Sequence, residues 1–278
     1  MLLGYNTNGF AHHRLEDALD VLAHLGFQSV AITLDHHALN PYTPTIARDC
    51  ADVRGVLERA NLAAVVETGA RFLLNPYKKH WPTLLAGEKH HRELRWDFLW
   101  RSIDVCQLIG ARAVSLWSGM ADPEASEDAC WRRLLDACRW LADRAATAGV
   151  RIAFEPEPGM FIDTMPKFAE LHRRVDHPHF GLTLDVGHLH CMDETPIALH
   201  IERWKDWLWN VHIEDMRRGV HDHLMFGEGD MEFPPILRAL TSIGYDGGVH
   251  VELSRHSHDA VNTARKAFEF LRRSGFPA

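Results

Sequence analysis

The chain has 278 residues, 46% of them hydrophobic, and a formal net charge of −8. This size allows a large buried core, in one α/β barrel domain or in two smaller domains. Coating nucleic acid or an anionic membrane needs a basic surface, so an acidic chain is not expected to bind either. No stretch reaches the length of a membrane span.

The first residues and the cysteines indicate a cytoplasmic protein. Residues 1–6 lack a basic segment followed by a long apolar run, which predicts no secretory leader. The five cysteines are odd in number and show no CxxC spacing. Cys106, Cys130 and Cys138 lie in helical patterns, where a cysteine is typically a small buried residue. A reducing compartment is therefore expected.

Short apolar segments alternate with segments of helical spacing along the whole chain. The predicted strands are Leu2–Asn6, Ser29–Leu34, Leu62–Val66, Ala113–Trp117, Val150–Ala153, Gly181–Asp185, Leu208–His212 and Gly248–Glu252. The predicted helices are Leu15–Leu25, Ile46–Ala60, Glu88–Ile109, Glu127–Ala148, Pro166–Val175, Pro196–Trp207, Pro234–Ile243 and Asp259–Leu271. Gly26, Gly110, Gly149 and Gly244 each stand just before a strand, where a helix typically ends.

This repetition of eight strand–helix units predicts a single (β/α)8 barrel, a TIM barrel, over residues 1–278. No linker or low-complexity tract divides the chain. A doubly wound open sheet is the alternative, but no Gly-rich dinucleotide loop follows the first strand. The loop 68–87 has the length of a lid or a binding segment.

Four consecutive predicted strands end in an ionisable residue: Glu155, Asp185, His212 and Glu252. We call these four residues the quartet. Parallel strands of a barrel end on one face, so the quartet is expected to converge there. Any one member alone fits an ordinary polar strand end, but a fourfold repetition favours a metal site. Three carboxylates and one imidazole suit Mn²⁺, Mg²⁺ or Co²⁺ and tolerate Zn²⁺.

The sequence around the quartet resembles that of a known superfamily. The segments 154–156, 184–188, 211–215 and 251–253 together resemble the xylose-isomerase-like barrels. These include sugar and sugar-phosphate isomerases and epimerases, related dehydratases, and type IV apurinic endonucleases. The resemblance to the epimerase branch implies that the quartet binds one divalent ion.

The resemblance also implies a mechanism. Glu155 and Glu252 would flank the substrate and transfer its proton through a metal-stabilised enediolate. His188 would contact a substrate oxygen, and Arg217 or Arg218 would do likewise.

Further candidates lie at neighbouring positions. Glu67, at the end of the third strand, is a candidate polar contact to the substrate, and Trp117 is a candidate apolar wall. His221 and His223 lie where the endonucleases carry an Asp-x-His motif that binds a further zinc ion. They are interpreted as ligands of a second metal ion, as substrate contacts, or as an ordinary polar loop.

Two departures from the family patterns bear on the substrate. Trp117 stands where the endonuclease-type histidine is expected, which removes one ligand of a three-zinc site. Phe161 stands six residues after Glu155, where the ketose 3-epimerases carry a substrate-binding glutamate. The first departure disfavours DNA, and the second disfavours a free ketose.

The main hypothesis is a divalent-metal-dependent isomerase or epimerase of a sugar, a sugar phosphate or a related polyhydroxy carbonyl metabolite. A metal-dependent dehydratase or lyase of a cyclic hydroxy-ketone is the first alternative. A zinc phosphoesterase of the endonuclease type and a metal-binding protein without turnover are the others. The expected partner is a small molecule. Members of such families often pair, but no motif establishes a dimer, so monomer and homodimer both stay open.

Overall fold

The computed structural model describes residues 1–277 and shows eight parallel strands closed into a barrel, as predicted. The strands around the barrel are β1 (Leu2–Asn6), β2 (Ser29–Thr33), β3 (Ala63–Glu67), β4 (Ala113–Leu116), β5 (Arg151–Phe154), β6 (Phe180–Asp185), β7 (Leu208–Ile213) and β10 (Gly248–Val251). Each pairs with its neighbour in this order, and β10 closes the ring onto β1. The fold is a TIM barrel.

Helices alternate with the barrel strands along the chain. They are α1 (Leu15–Leu25), α2 (Ile46–Ala60), α3 (Lys89–Ile109), α4 (Glu127–Ala148), α5 (Met165–Val175), α6 (Val186–Cys191), α7 (Ile197–Trp204), α8 (Phe233–Ser242) and α9 (Ala260–Arg273). Short 3-10 helices span Thr7–Phe10 and Ser254–Asp259. All five cysteines are buried and free. Within residues 1–277, none of the helices combines the length and the apolar character that crossing a membrane requires.

The structure differs from the prediction mainly between the sixth and eighth barrel strands. A hairpin of β8 (Asp215–Arg217) and β9 (Val220–Leu224) follows β7, and the short helix α6 follows β6 directly. Neither has an apolar period long enough to be detected. The helix predicted to end at Trp207 ends at Trp204, and a turn connects it to β7.

The apolar core lies between the barrel and its helices, whereas the barrel interior is partly polar. The residues 31, 65, 113 and 153 form a small apolar layer inside the barrel. A polar layer is formed by Ser29, Ser115, Thr183, Asn210 and His250, all at most 2% exposed. The interior of such barrels is usually filled by branched apolar residues. A polar layer at this place is therefore unusual for the fold.

Gly4 on β1 makes room for His250. The two residues are paired in register, and a Cβ atom on Gly4 would collide with the imidazole of His250. We expect Gly4→Ala to lower the free energy of unfolding by about 1–3 kcal/mol, the usual cost of overpacking. In Gly55→Ala, on α2, the new methyl would meet only the flexible end of Arg59. We expect this control to gain about 0.5–1 kcal/mol. Urea unfolding measures both, and equal effects would contradict the prediction.

Candidate metal centre

The ends of four adjacent barrel strands bring the quartet together at one mouth of the barrel. Asp185 ends β6 and pairs in register with His212 of β7. Glu155 follows β5 directly, and Glu252 follows β10. One ligand atom from each of the four side chains lies within 4.8 Å of the other three. Donor atoms that share one ion show such separations, because each lies about 2.1 Å from it.

The imidazole of His212 lies between three carboxylates on its Nδ1 side and the single carboxylate of Glu67 on its Nε2 side. Its Nδ1 is 3.1 Å from Glu155 Oε1, 3.0 Å from Glu252 Oε2 and 4.0 Å from Asp185 Oδ2. Its Nε2 is 2.9 Å from Glu67 Oε1. Burial favours the neutral ring, but Glu67, Glu155 and Glu252 outweigh it and raise the pKa of His212 well above its usual value. The cluster therefore stabilises a positive charge at this place.

The two glutamates respond differently to this environment. Burial raises the pKa of Glu155 well above its usual value, against the effect of His212. Burial also opposes ionisation of Glu252, but His212, His223 and His188 outweigh it and lower the pKa of Glu252. In the absence of a metal ion, the Glu155 carboxyl group is therefore protonated more readily than that of Glu252.

Asp185 has one oxygen that the protein satisfies and one that a cation could satisfy. Its Oδ1 accepts a hydrogen bond from the backbone N–H of His188 at 2.9 Å. Its Oδ2 is buried and has no hydrogen-bond partner within residues 1–277. A buried carboxylate oxygen without a partner is costly, and an ion would remove that cost. The donor set fits a divalent cation.

Sequence reasoning missed Asn8, which orients one glutamate of the quartet. Its Nδ2 donates to Glu252 Oε1 at 2.8 Å. Asn8 lies in the 3-10 turn that follows β1. A search of every strand end for polar residues would have found it, because β1 opens at the same mouth.

A cavity of about 300 Å³ opens above the quartet. Most of the predicted site residues line it, together with loop residues: Glu67, Trp117, Glu155, His188, His212, His221, His223, Glu252, Arg71, Lys79, His80, Glu157 and Arg255.

The Arg95 guanidinium is buried and lies over the ring of Trp117, with 4.8 Å from its Cζ to the ring centroid. Burial raises the pKa of Glu157 to about 7 and lowers the pKa of His80 to about 4.

Glu67 and the two predicted arginines are placed differently from a simple substrate contact. Glu67 lines the cavity, but its Oε1 already accepts from His212 Nε2. Arg217 donates to the Glu228 carbonyl, and the exposed Arg218 pairs with Asp193. The hairpin turns both arginines into these contacts, and neither lines the cavity. Their contact with a substrate remains a prediction.

A second cluster, the histidine triad, consists of His188, His221 and His223. One nitrogen of each ring lies within 4.8 Å of the other two. His188 Nδ1 lies 3.3 Å from the Pro156 carbonyl, to which it donates. Burial lowers the pKa of His188 to about 4, so its Nε2 carries no proton at neutral pH. This bare nitrogen lies 3.0 Å from His221 Nε2 and 3.4 Å from Asp185 Oδ2.

Glu214 lies behind the histidine triad and was also missed. It is fully buried, and neither carboxyl oxygen has a hydrogen-bond partner in the described chain. Burial raises the pKa of Glu214 well above its usual value, and Asp185 adds to the effect. Its Oε2 is 3.9 Å from His223 Nδ1. For His223, burial is outweighed by Glu214 and other acidic neighbours, which raise its pKa to about 10.

Two curated relatives are enzymes of carbohydrate chemistry. The inosose dehydratase of Lacticaseibacillus casei is 29% identical over 160 residues, which are 51% of this chain and 53% of that protein. This chain thus spans about half the length of that relative. The L-ribulose-5-phosphate 3-epimerase of Escherichia coli is 24% identical over 211 residues, 75% of this chain and 74% of that protein.

Solved structures share the fold over nearly the whole chain. A D-allulose 3-epimerase of Methylomonas sp. has a TM-score of 0.79 and 21% identity, over 99% of this chain and 98% of that one. The IolI protein, solved with a bound zinc atom, has a TM-score of 0.74 and 20% identity, over 96% of both chains. A family model described as xylose isomerase-like TIM barrel matches residues 19–274. The chain therefore belongs to the xylose isomerase-like TIM barrel family.

Proposed function

We propose that this protein is a divalent-metal-dependent isomerase or epimerase of a sugar, a sugar phosphate or a related polyhydroxy carbonyl compound. The observation that carries the proposal is the convergence of the quartet on one point, with Glu155 and Glu252 both about 3 Å from His212 Nδ1. The quartet would hold one ion, which is Mn²⁺, Mg²⁺, Co²⁺ or Zn²⁺.

The two glutamates are placed to move a proton. They come from different strand ends, β5 and β10, and both line the cavity. When bound, the cation polarises the oxygens of an α-hydroxy carbonyl substrate and so acidifies the C–H bond between them. One glutamate then takes up this proton, and the other, protonated beforehand, donates its own proton to the opposite face of that carbon or to the neighbouring carbon. In the second case the hydroxyl proton also passes to the former carbonyl oxygen. Donation to the opposite face gives an epimer, and donation to the neighbour gives an isomer.

The remaining lining residues support a small polyhydroxy substrate. The cavity volume of about 300 Å³ is at the lower end of the range for small-molecule sites. His80 offers a neutral imidazole to hydroxyl groups, and Trp117 offers an apolar face. The proposed reaction also agrees with the named activities of the relatives, which include epimerases.

Deuterium incorporation tests this proposal. The Mn²⁺-loaded protein is incubated in D₂O with ketoses, ketose phosphates and inososes, and the products are examined by mass spectrometry and NMR. We expect one deuterium at the carbon next to the carbonyl group. A metal-free sample with chelator is the control, and equal exchange in both samples would contradict metal dependence.

Dehydration is the second candidate function, because one relative is named an inosose dehydratase. It begins with the same removal of a proton next to a carbonyl group, but a hydroxyl group then leaves. In the same experiment, a product lighter by one water would favour the dehydratase. No product from any compound while metal stays bound would favour a metal-binding protein without turnover.

We also propose that the histidine triad holds a second ion. Three imidazole nitrogens suit Zn²⁺, and the bare Nε2 of His188 faces Asp185 Oδ2 with no proton between them. We expect two Zn²⁺ per chain by elemental analysis, and one in the variant with both His221→Ala and His223→Ala. The variant His24→Ala with His258→Ala, two exposed residues that belong to no cluster of possible ligands in residues 1–277, is the control. An unchanged count in the triad variant would favour substrate contact instead.

Phosphodiesterase activity is measured in parallel, because a multinuclear zinc site would also suit a zinc phosphoesterase.

A further inference from the structure

A chain of hydrogen bonds crosses the barrel interior and ends on His212. Ser29 Oγ is 2.8 Å from His250 Nε2, and His250 Nδ1 is 2.8 Å from Asn210 Oδ1. Asn210 Nδ2 is 3.0 Å from Glu67 Oε1, which is 2.9 Å from His212 Nε2. All five residues are buried, and His250 and Asn210 have no exposed surface. The chain runs from the start of β2 to the quartet.

The direction of each bond follows from Glu67, because a carboxylate only accepts hydrogen bonds. Both Asn210 Nδ2 and His212 Nε2 must therefore donate to it. Asn210 then presents its Oδ1 to His250, so His250 Nδ1 carries a hydrogen. His212 Nε2 also lies 3.2 Å from Asn210 Nδ2, but both are donors to the same oxygen. With its hydrogen fixed on Nε2, a neutral His212 offers the lone pair of Nδ1 to the quartet.

The positions of these residues on the barrel strands bring the hydrogen-bonding side chains together. Asn210 and His212 are two residues apart on β7, so both side chains point into the barrel. His250 of β10 pairs in register with His212. Gly4 and Gly248 leave the space for the His250 ring, because a Cβ atom at either position would collide with it. No loop has to move for the chain to form.

Burying such a chain of polar groups costs free energy of folding, because branched apolar side chains would usually fill this part of the barrel. Each buried polar group costs free energy unless it is hydrogen-bonded, and a partly bonded network is worse than an apolar core. Here the ring nitrogens of His250, the amide of Asn210 and one oxygen of Glu67 are all paired. The pairing offsets the cost. A side branch leaves Asn210 through Thr183 to Ser115, and the main chain of bonds ends on His212.

We infer that Ser29, His250, Asn210 and Glu67 are positioning residues, which hold the tautomer and the ring orientation of His212 so that Nδ1 faces the cation. The inference rests on the proposed function, since it requires an ion at the quartet. It gives Glu67 a different role from the substrate contact that the sequence predicted. Replacing the hydrogen-bond partner of a metal-binding histidine typically weakens metal binding by about 10- to 100-fold.

Mn²⁺ affinity, measured from the signal of the free ion in electron paramagnetic resonance, tests the inference. We expect Asn210→Leu to weaken binding by about 10- to 100-fold. Ser29→Ala acts at the far end of the chain and should weaken it by about 2- to 10-fold, the effect of one neutral hydrogen bond. Ser102→Ala is the matched control: it also removes a fully buried hydroxyl, but one that donates to the Phe98 carbonyl within α3 and has no bond to the chain.

Urea unfolding of the metal-free variants separates positioning from simple support of the fold. A structural role alone would lower the free energy of unfolding and leave Mn²⁺ affinity within twofold of the parent protein. That outcome in Asn210→Leu would overturn the inference and leave the proposed function standing. A parent protein that binds none of Mn²⁺, Mg²⁺, Co²⁺ and Zn²⁺ would overturn both. Equal losses of affinity in Ser29→Ala and Ser102→Ala would also overturn it.

Discussion

A Glu252→Gln variant is expected to exchange the substrate proton about 10²- to 10⁴-fold more slowly than the parent protein, and Glu155→Gln is expected to do the same. The amide keeps the shape of the side chain but cannot take up a proton as a carboxylate does. Both residues should matter, because the proposed reaction needs one group to take up a proton and another to donate one. The two side chains reach His212 Nδ1 from different strand ends, so neither can stand in for the other.

The measurement must separate proton transfer from loss of the ion. Deuterium incorporation is followed at saturating substrate, while Mn²⁺ is raised until the quartet is full in each variant. Glu269→Gln, an exposed residue of α9, is the control and should behave as the parent protein does. Exchange at the parent rate in either variant with Mn²⁺ bound would remove that glutamate from the mechanism.

The sequence predicted those parts of the molecule that depend on simple periods. Alternation of strand and helix predicted all eight barrel strands, because each unit buries its own apolar face and ends in a recognisable turn. The strand-end rule placed the quartet at one mouth, since parallel strands leave no other place for residues such as Glu155 and Asp185. The structure brings the four side chains together, and their binding of an ion remains to be measured.

The parts that were missed depend on which way a side chain points. Asn210 and His250 lie two residues before His212 and Glu252, so strand alternation would have placed them inside the barrel. Their partners, however, follow from strand register, which the sequence does not state. Arg217 is held by the hairpin, whose three-residue strand gives no periodic signal. Sequence analysis therefore predicts residues at strand ends better than the hydrogen bonds beneath them.

The metal-free protein is expected to lose stability as the pH rises, because of His212. Its unfolded pKa is about 6.5. In the folded protein burial lowers this value, but Glu67, Glu155 and Glu252 outweigh burial and raise the pKa of His212 well above it. A group with a raised folded pKa contributes its full stability below the unfolded pKa and loses it as the pH rises through the folded pKa. The imidazolium thus neutralises the carboxylates while no metal ion is present.

Replacing His212 removes this charge and should reveal its contribution. We expect His212→Gln, with chelator present, to lower the free energy of unfolding by about 3–5 kcal/mol at about pH 6, because buried carboxylates lose their partner. The loss should shrink above the folded pKa of His212, where the parent protein has lost the same contribution. Urea unfolding across pH measures this, with exposed His258→Gln as the control. A loss that stays constant across pH would assign His212 a packing role only.

The same charge predicts how the cation binds. Ligation at Nδ1 requires a neutral imidazole, so each ion must displace the proton that the carboxylates hold on His212. Mn²⁺ affinity of the parent protein should therefore rise with pH up to the folded pKa of His212, and calorimetry in buffers of different ionisation enthalpy should detect the released proton. In His212→Gln the part of this pH dependence that comes from the imidazole should disappear together with most of the affinity, which leaves the part that comes from the Glu155 carboxyl group. Proton release that is unchanged in the variant would place the titrating group elsewhere and remove His212 from the proposed ligands.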